Sequence, residues 1–352
     1  MTYGMNNHTG RRWQPWAPLL AFCCMLTATP AVAQTRRVVV EEYTGTWCIH
    51  CPRGMVGLQR LNEDYGDRVI TIAVHTGDNE PMAIPTYPDL QPDGGVPSCT
   101  VDRMGKLDPY SGSGRRGAFH YGIDLDVDYE LQRPTEAGLE LKAQWNDALQ
   151  WDVSFTATTT FNISSSDAPY RLAFILLEDG LQGQGKAWQQ ANAFSGSTTY
   201  LDDDMAFWRQ APEVVEPMTY NHVAVNTLGI RSGISGSIQA PIVAGQPQTY
   251  TNLVTTLNVK VIQDKSRLSA VALLLNTETG EIVNAAQADI LPFGTDAVST
   301  VTAGPQPAAV LHDLQGRRLH SRPAKGLYLQ NKRKYINPSQ VGVKGVKGVK
   351  GS

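Results

Sequence analysis

The chain has 352 residues and a formal net charge of −3, from 30 Lys and Arg set against 33 Asp and Glu. This length allows two or three domains, and the charge balance lacks the basic excess that nucleic acid selects, which excludes nucleic acid as a partner. No long apolar run follows Ala33, so no transmembrane span is expected.

Arg11 and Arg12, the apolar stretch Ala17 to Leu26, and Ala31-Val32-Ala33 before Gln34 make the pattern of a secretory signal over residues 1–33, cleaved after Ala33. Phe22 stands where a lipoprotein signal places a small residue, which argues against acylation at Cys23. Cys23 and Cys24 would leave with the signal. Cys48, Cys51 and Cys99 would remain, an odd number that fits one reactive pair plus a spare thiol better than a disulfide-stapled scaffold.

The β-branched run from Arg37 to Tyr43 predicts a buried strand. From Cys51 to Tyr65 the residues Met55, Leu58 and Leu61 recur at helical spacing, Pro52 suits a first turn and Gly66 a stop. Cys48-Ile49-His50-Cys51 therefore opens a helix, whose partial positive charge lowers the pKa of the first, more exposed thiol and suits it to disulfide exchange. The same spacing fits a static disulfide, or half of a zinc site completed by Cys99 and His75. Val69 to Val74 reads as a second strand, and 75–95 as turn-rich chain. The stretch from Val96-Pro97 to Arg103 reads as a strand with proline at its entry, Met104-Gly105-Lys106 as the turn of a hairpin, and Ala118 to Leu131 as a helix.

After Pro134 the period becomes two. Leu139, Leu141, Ala143 and Trp145 alternate with polar residues, as do Trp151, Val153, Phe155, Ala157, Thr159 and Phe161. Leu172 to Leu177 and Ala270 to Leu275 are continuous apolar strands, and the set predicts a β-sandwich. Gln182 to Pro217 is a long irregular connection, functional or disordered. Trp145, Trp151, Trp188 and Trp208 are expected as core and loop anchors, and His222 as a structural histidine. A Pro-rich linker near Ala303 leads to a β tail, Val310 to Ile336, and the VGVKGVKGVKG end is low-complexity sequence without a core.

TWCIHCPRG, the VPSCTVDR strand and the β–α–β unit resemble a thioredoxin fold. The first strand with its motif is similar to the Omp-twenty-eight-related, thioredoxin-like outer membrane proteins of Gram-negative bacteria. YRLAFILLEDGL, YNHVAVNTLG and LSAVALLLNTETGEIVNAAQ resemble that family's immunoglobulin-like part, and VLHDLQGRRLHSRPAKGLYLQNKRKYI resembles the C-terminal sorting segments of type IX secretion cargo. The resemblance implies an α+β chain: a thioredoxin-like α/β domain (34–135), an immunoglobulin-like all-β sandwich (136–293), a linker and β sorting tail (294–340) and the low-complexity end (341–352). It implies export to the outer membrane or cell surface, with the periplasm as the alternative.

On the thioredoxin pattern Cys48 is the attacking thiol and Cys51 the resolving one, and the two form the expected disulfide. His50 stands where the C-P-H-C of DsbA-type oxidants places a histidine that favours the first thiolate, although Ile49 replaces their proline. Glu42 lies at the spacing of the family's buried acid, placed to take the proton of Cys51, while Glu41 should face the other side of the strand. Pro97 matches the family's cis-proline, and Val96 before it would offer its backbone to an extended substrate. Trp47 is expected to shield one side of Cys48, and Cys99 to be a core thiol. The expected function is thiol–disulfide exchange with client proteins and an unidentified redox partner, without metal or cofactor. The alternative is a non-catalytic surface binding or structural protein on the same fold.

Overall fold

In a computed structural model, residues 34–85, 87 and 90–295 are described, together with four short strands at 311–312, 318–319, 326–330 and 333–337. The segments expected as signal peptide, 1–33, and low-complexity end, 341–352, lie outside the described residues.

The apolar run near the start of the body forms strand β1 (Val38–Thr44), buried at all seven positions. Parallel strands need a crossover, and helix α1 (Pro52–Tyr65) supplies it between β1 and β2 (Val69–His75). On the other side of β1 runs antiparallel β3 (Ser98–Val101), followed by β4 (Met104–Leu107). Val56, Leu58 and Leu61 of α1, with Ile123 and Val127 of α2 (Ile123–Gln132), join Val38, Val40 and Val101 in one apolar cluster. Strand order β2-β1-β3-β4 with both helices in that cluster is the thioredoxin arrangement.

The expected hairpin turn at Met104-Gly105-Lys106 is corrected by the structure. The chain reverses at Asp102 and Arg103, both left-handed with φ of 49° and 64°, and Met104 to Lys106 belong to β4. Two non-glycine residues hold this conformation because each is tied into a buried ion pair. Asp102 meets Arg36 at 2.7 Å, and Arg103 meets Glu41 at 3.0 Å.

The period-two segments become β5 (Ala137–Trp145) and β6 (Asp152–Phe161); the latter alternates strictly between buried and half-buried residues. Next come β7 (Tyr170–Glu178), β8 (Gln190–Ala191), helix α3 (Ala206–Gln210), β9 (Val214–Val215), β10 (Val223–Leu228), β11 (Pro247–Thr255), β12 (Leu268–Asn276) and β13 (Ile282–Leu291). Eleven strands run in the order β11-β6-β5-β13-β12-β7-β10-β2-β1-β3-β4. Strand β13 pairs with β12 along most of its length and passes to β5 at Ile290 and Leu291. The β5, β6 and β11 layer thus packs on β7 and β12 as a sandwich, with the Phe155 and Phe174 rings 4.9 Å apart between the layers. Strand β10 joins the halves, pairing with β7 on one side and β2 on the other. In the tail, β14 (Leu311–His312), β15 (Arg318–Leu319), β16 (Gly326–Gln330) and β17 (Arg333–Asn337) form a separate sheet in the order β15-β14-β16-β17.

The Gln182 to Pro217 connection is irregular but built, with β8 paired to β9 and α3 between them. Of the tryptophans expected as anchors, Trp145 and Trp208 are buried, whereas Trp151 is 48% exposed at the edge of the sandwich. Among the described residues no helix is long and apolar enough to cross a membrane.

Candidate active site

The turn between β1 and α1 brings Cys48 and Cys51 together as a disulfide, with 5.4 Å between Cα atoms. Cys51 occupies the N-cap position of α1 and Pro52 its first turn, so the pair sits at the helix start. The Cys48 carbonyl accepts the Cys51 N–H at 3.2 Å, which closes the turn. Arg53 clamps it from outside, donating from Nη1 to the His50 carbonyl at 3.0 Å and from Nε to Asp108 at 2.8 Å.

Glu42 lies on the face of β1 that carries Val38 and Val40, beneath α1, and is 1% exposed. A Cβ placed on Gly54, in the first turn of α1, would fall 1.9 Å from Glu42 Oε1, so the carboxyl reaches the start of the helix that carries Cys51. This oxygen has no hydrogen-bond partner. Burial pushes the Glu42 carboxyl up to about 8, while the Thr44 hydroxyl and the Arg53 charge pull more weakly the other way. Glu41 takes the opposite face, where Tyr87 and Arg103 hold it.

Cys99 is fully buried on β3, directly opposite Glu42 in the ladder. Burial, then the negative charges of Asp108 and Glu42, push its thiol well above the ordinary value. His75, the other residue considered for zinc, is buried with Nδ1 3.0 Å from Glu80 Oε1. Among the described residues no three His, Cys, Asp or Glu side chains gather as a metal site requires.

The Val96–Pro97 bond is cis, and both residues line an open cleft of about 530 Å³ with His50, Arg53, Lys106 and Asp108. The His50 ring is exposed toward this cleft, and 6.0 Å from its centroid is the Phe194 ring. Trp47 is 53% exposed, and its indole donates to the Thr76 carbonyl at 2.9 Å.

Both cysteines are buried, Cys48 being 5% exposed against 0% for Cys51. The long connection is bonded to the backbone of the turn that carries them. Ala191 N–H donates to the Thr46 carbonyl at 2.9 Å, Ala193 N–H to the Ile49 carbonyl at 2.8 Å, and the buried Gln190 amide to the Cys48 carbonyl at 3.1 Å. Sequence reasoning missed Arg53, Asp108 and Gln190. The two bonds that Asp108 and Gln190 make bridge 55 and 142 positions, which no local pattern reveals.

No protein-family model matches the chain, and no curated protein matches it. Its structural neighbours include HBP35 of Porphyromonas gingivalis, at 15% identity and a TM-score of 0.47, covering 86% of this chain and 97% of that one. A protein from Agrobacterium tumefaciens is similar at 13% identity and a TM-score of 0.38, over 73% of this chain and 95% of that one. A domain of the outer membrane lipoprotein Omp28 from Porphyromonas gingivalis is similar at 15% identity and a TM-score of 0.23, over 45% of this chain and 90% of that one.

Proposed function

We propose that the chain is an exported thiol–disulfide oxidoreductase in which Cys48 attacks and Cys51 resolves. The observation that carries this reading is the buried carboxyl of Glu42, whose Oε1 has no hydrogen-bond partner, beneath the helix that begins at Cys51. A purely structural disulfide has no use for an acid there, since a buried carboxyl without full hydrogen bonding costs stability. A resolving thiol does have such a use.

In the reducing direction the Cys48 thiolate attacks one sulfur of a client disulfide. A Cys48–client S–S bond forms, and the other client sulfur leaves as a thiolate. Cys51 then gives its proton to Glu42 and attacks Cys48. The Cys48–Cys51 bond closes, the second client thiolate departs, and two electrons have passed from the pair to the client. Oxidation of a client dithiol runs the same steps backwards, with Glu42 returning the proton. Burial, which pushes Glu42 up to about 8, strengthens its carboxylate as a base toward a thiol proton. The electrons reside in the two sulfurs, so no cofactor is needed.

In this account the cleft takes the client chain. The Val96 backbone, Pro97 and the exposed Trp47 guide it, and His50 favours the Cys48 thiolate. The partners are client proteins with thiols or disulfides and a redox partner that resets the pair. The signal-like start supports export and the sorting-like tail supports delivery to the outer membrane or cell surface, with the periplasm as the alternative compartment.

The burial of Cys48 favours a second reading, a surface binding protein that keeps the fold without turnover. The reduction potential of the Cys48/Cys51 pair separates the two. An exchange catalyst lies well above about −300 mV, whereas a value below that marks a structural disulfide and overturns the proposal.

A further inference from the structure

The part of the long connection that is bonded to the turn carrying Cys48 is itself anchored. Asn192 is buried, and its amide donates to the carbonyls of Trp208 at 2.8 Å and Pro212 at 3.0 Å, while its Oδ1 accepts from Phe194 N–H at 3.0 Å. Phe194 carries the fixation outward, with its ring 5.1 Å from Tyr200 and 6.0 Å from His50. Farther along, Tyr110 donates to Asp204 at 2.7 Å, and Arg60 of α1 pairs with the same Asp204 at 2.5 Å. Three carbonyls of the redox turn, on Thr46, Cys48 and Ile49, are thus taken by donors from 190–193. These bonds occupy backbone acceptors of the turn that carries Cys48 and leave the Val96–Pro97 cleft, lined by other residues, open beside it.

We propose that residues 186–194 form an access strap, seated on the redox turn beside the Val96–Pro97 cleft, so that thiol exchange at Cys48 waits on its release. The proposal rests on the oxidoreductase reading and adds selectivity to it. An incoming chain must displace three hydrogen bonds before its sulfur meets Cys48, which favours partners able to supply replacement donors. Small thiols, which supply none, react slowly.

Glutathione is the probe. One glutathione thiolate attacks Cys48, forming a mixed disulfide and releasing the Cys51 thiolate. A second attacks the mixed disulfide, releasing Cys48 and glutathione disulfide, so two glutathione molecules provide the two electrons. In the full chain, Gln190→Ala removes the donor to Cys48. Asn192→Ala loosens the strap without touching the turn. Gln287→Ala, whose exposed amide bonds Ser269 on the sandwich and lies outside the strap, serves as control. Folding is checked by the melting midpoint and far-ultraviolet circular dichroism of each variant.

The strap predicts that both Gln190→Ala and Asn192→Ala are reduced faster than wild type, by about tenfold, as expected when one buried hydrogen bond holding a closed state is lost, and that Gln287→Ala is reduced at the wild-type rate. Acceleration in Gln190→Ala alone makes the effect local to the Cys48 carbonyl and overturns the strap. So do equal rates in all four proteins, which leave the oxidoreductase reading standing. A disulfide that resists excess dithiothreitol in every protein removes both. Should Gln190→Ala not fold, Asn192→Ala and its control decide the matter.

Discussion

Glu42 and Cys99 face each other across β1 and β3, and both are pushed toward their neutral forms by burial. A carboxyl at 4.5 in the unfolded chain and about 8 in the native protein stays protonated on folding while the unfolded chain loses its proton. Its contribution to stability is therefore intact below pH 4.5 and is lost progressively as pH rises through 8. Asp102, pushed by burial from 3.8 to about 7, adds a loss of the same sign at somewhat lower pH. Glu42→Gln removes the Glu42 part alone. Urea unfolding at pH 5 and pH 8 should find the variant gaining on wild type by a few kcal/mol, to order of magnitude, across this interval. Parallel pH profiles would mean that Glu42 does not titrate as described. The same variant should slow resolution of a mixed disulfide while leaving the first attack by Cys48 intact, since only Cys51 needs its proton taken.

At the scale of elements, α1 depends on glycine where a helix ordinarily favours alanine. A Cβ on Gly57 would fall 1.9 Å from the Pro109 carbonyl oxygen, a backbone atom that cannot step aside. Gly57→Ala, which in an open helix gains up to about 1 kcal/mol, should instead destabilise by roughly 1–3 kcal/mol. Equilibrium unfolding decides the sign, and a stabilised variant would contradict the packing. Strand β1, helix α1 and the alternating strands β5 and β6 were legible because each writes its own period into a short window of sequence. The Cys48/Cys51 motif was legible for the same reason. The β3–β4 turn was not, because Gly105 is the obvious turn residue there, while Asp102 and Arg103 are held left-handed by the distant partners Arg36 and Glu41. The bonding of the long connection to the redox turn was hidden likewise. Gln190 sits in chain without periodicity, and its role exists only through a contact 142 residues away.

At the scale of the whole molecule, β10 carries one sheet from the sandwich to the strands beside the Cys48–Cys51 disulfide. The halves should therefore unfold together. Phe155, fully buried against Phe174 between the sandwich layers, is far from Cys99 in sequence, yet Phe155→Ala should lower stability by about 3–5 kcal/mol and expose Cys99 in the same transition. Circular dichroism and Cys99 labelling across a denaturant series check this, and two separate midpoints would show the halves to be uncoupled. The central claim is that this body turns over disulfides in other exported proteins, and trapping those proteins tests it most directly. Cys51→Ser leaves Cys48 able to attack but removes the thiol that releases the client, so clients accumulate as mixed disulfides. The account predicts several reducible, higher-mass conjugates in cells expressing Cys51→Ser, absent from the double variant that also lacks Cys48. No conjugate, under conditions where a periplasmic oxidoreductase with the same substitution yields them, would contradict it.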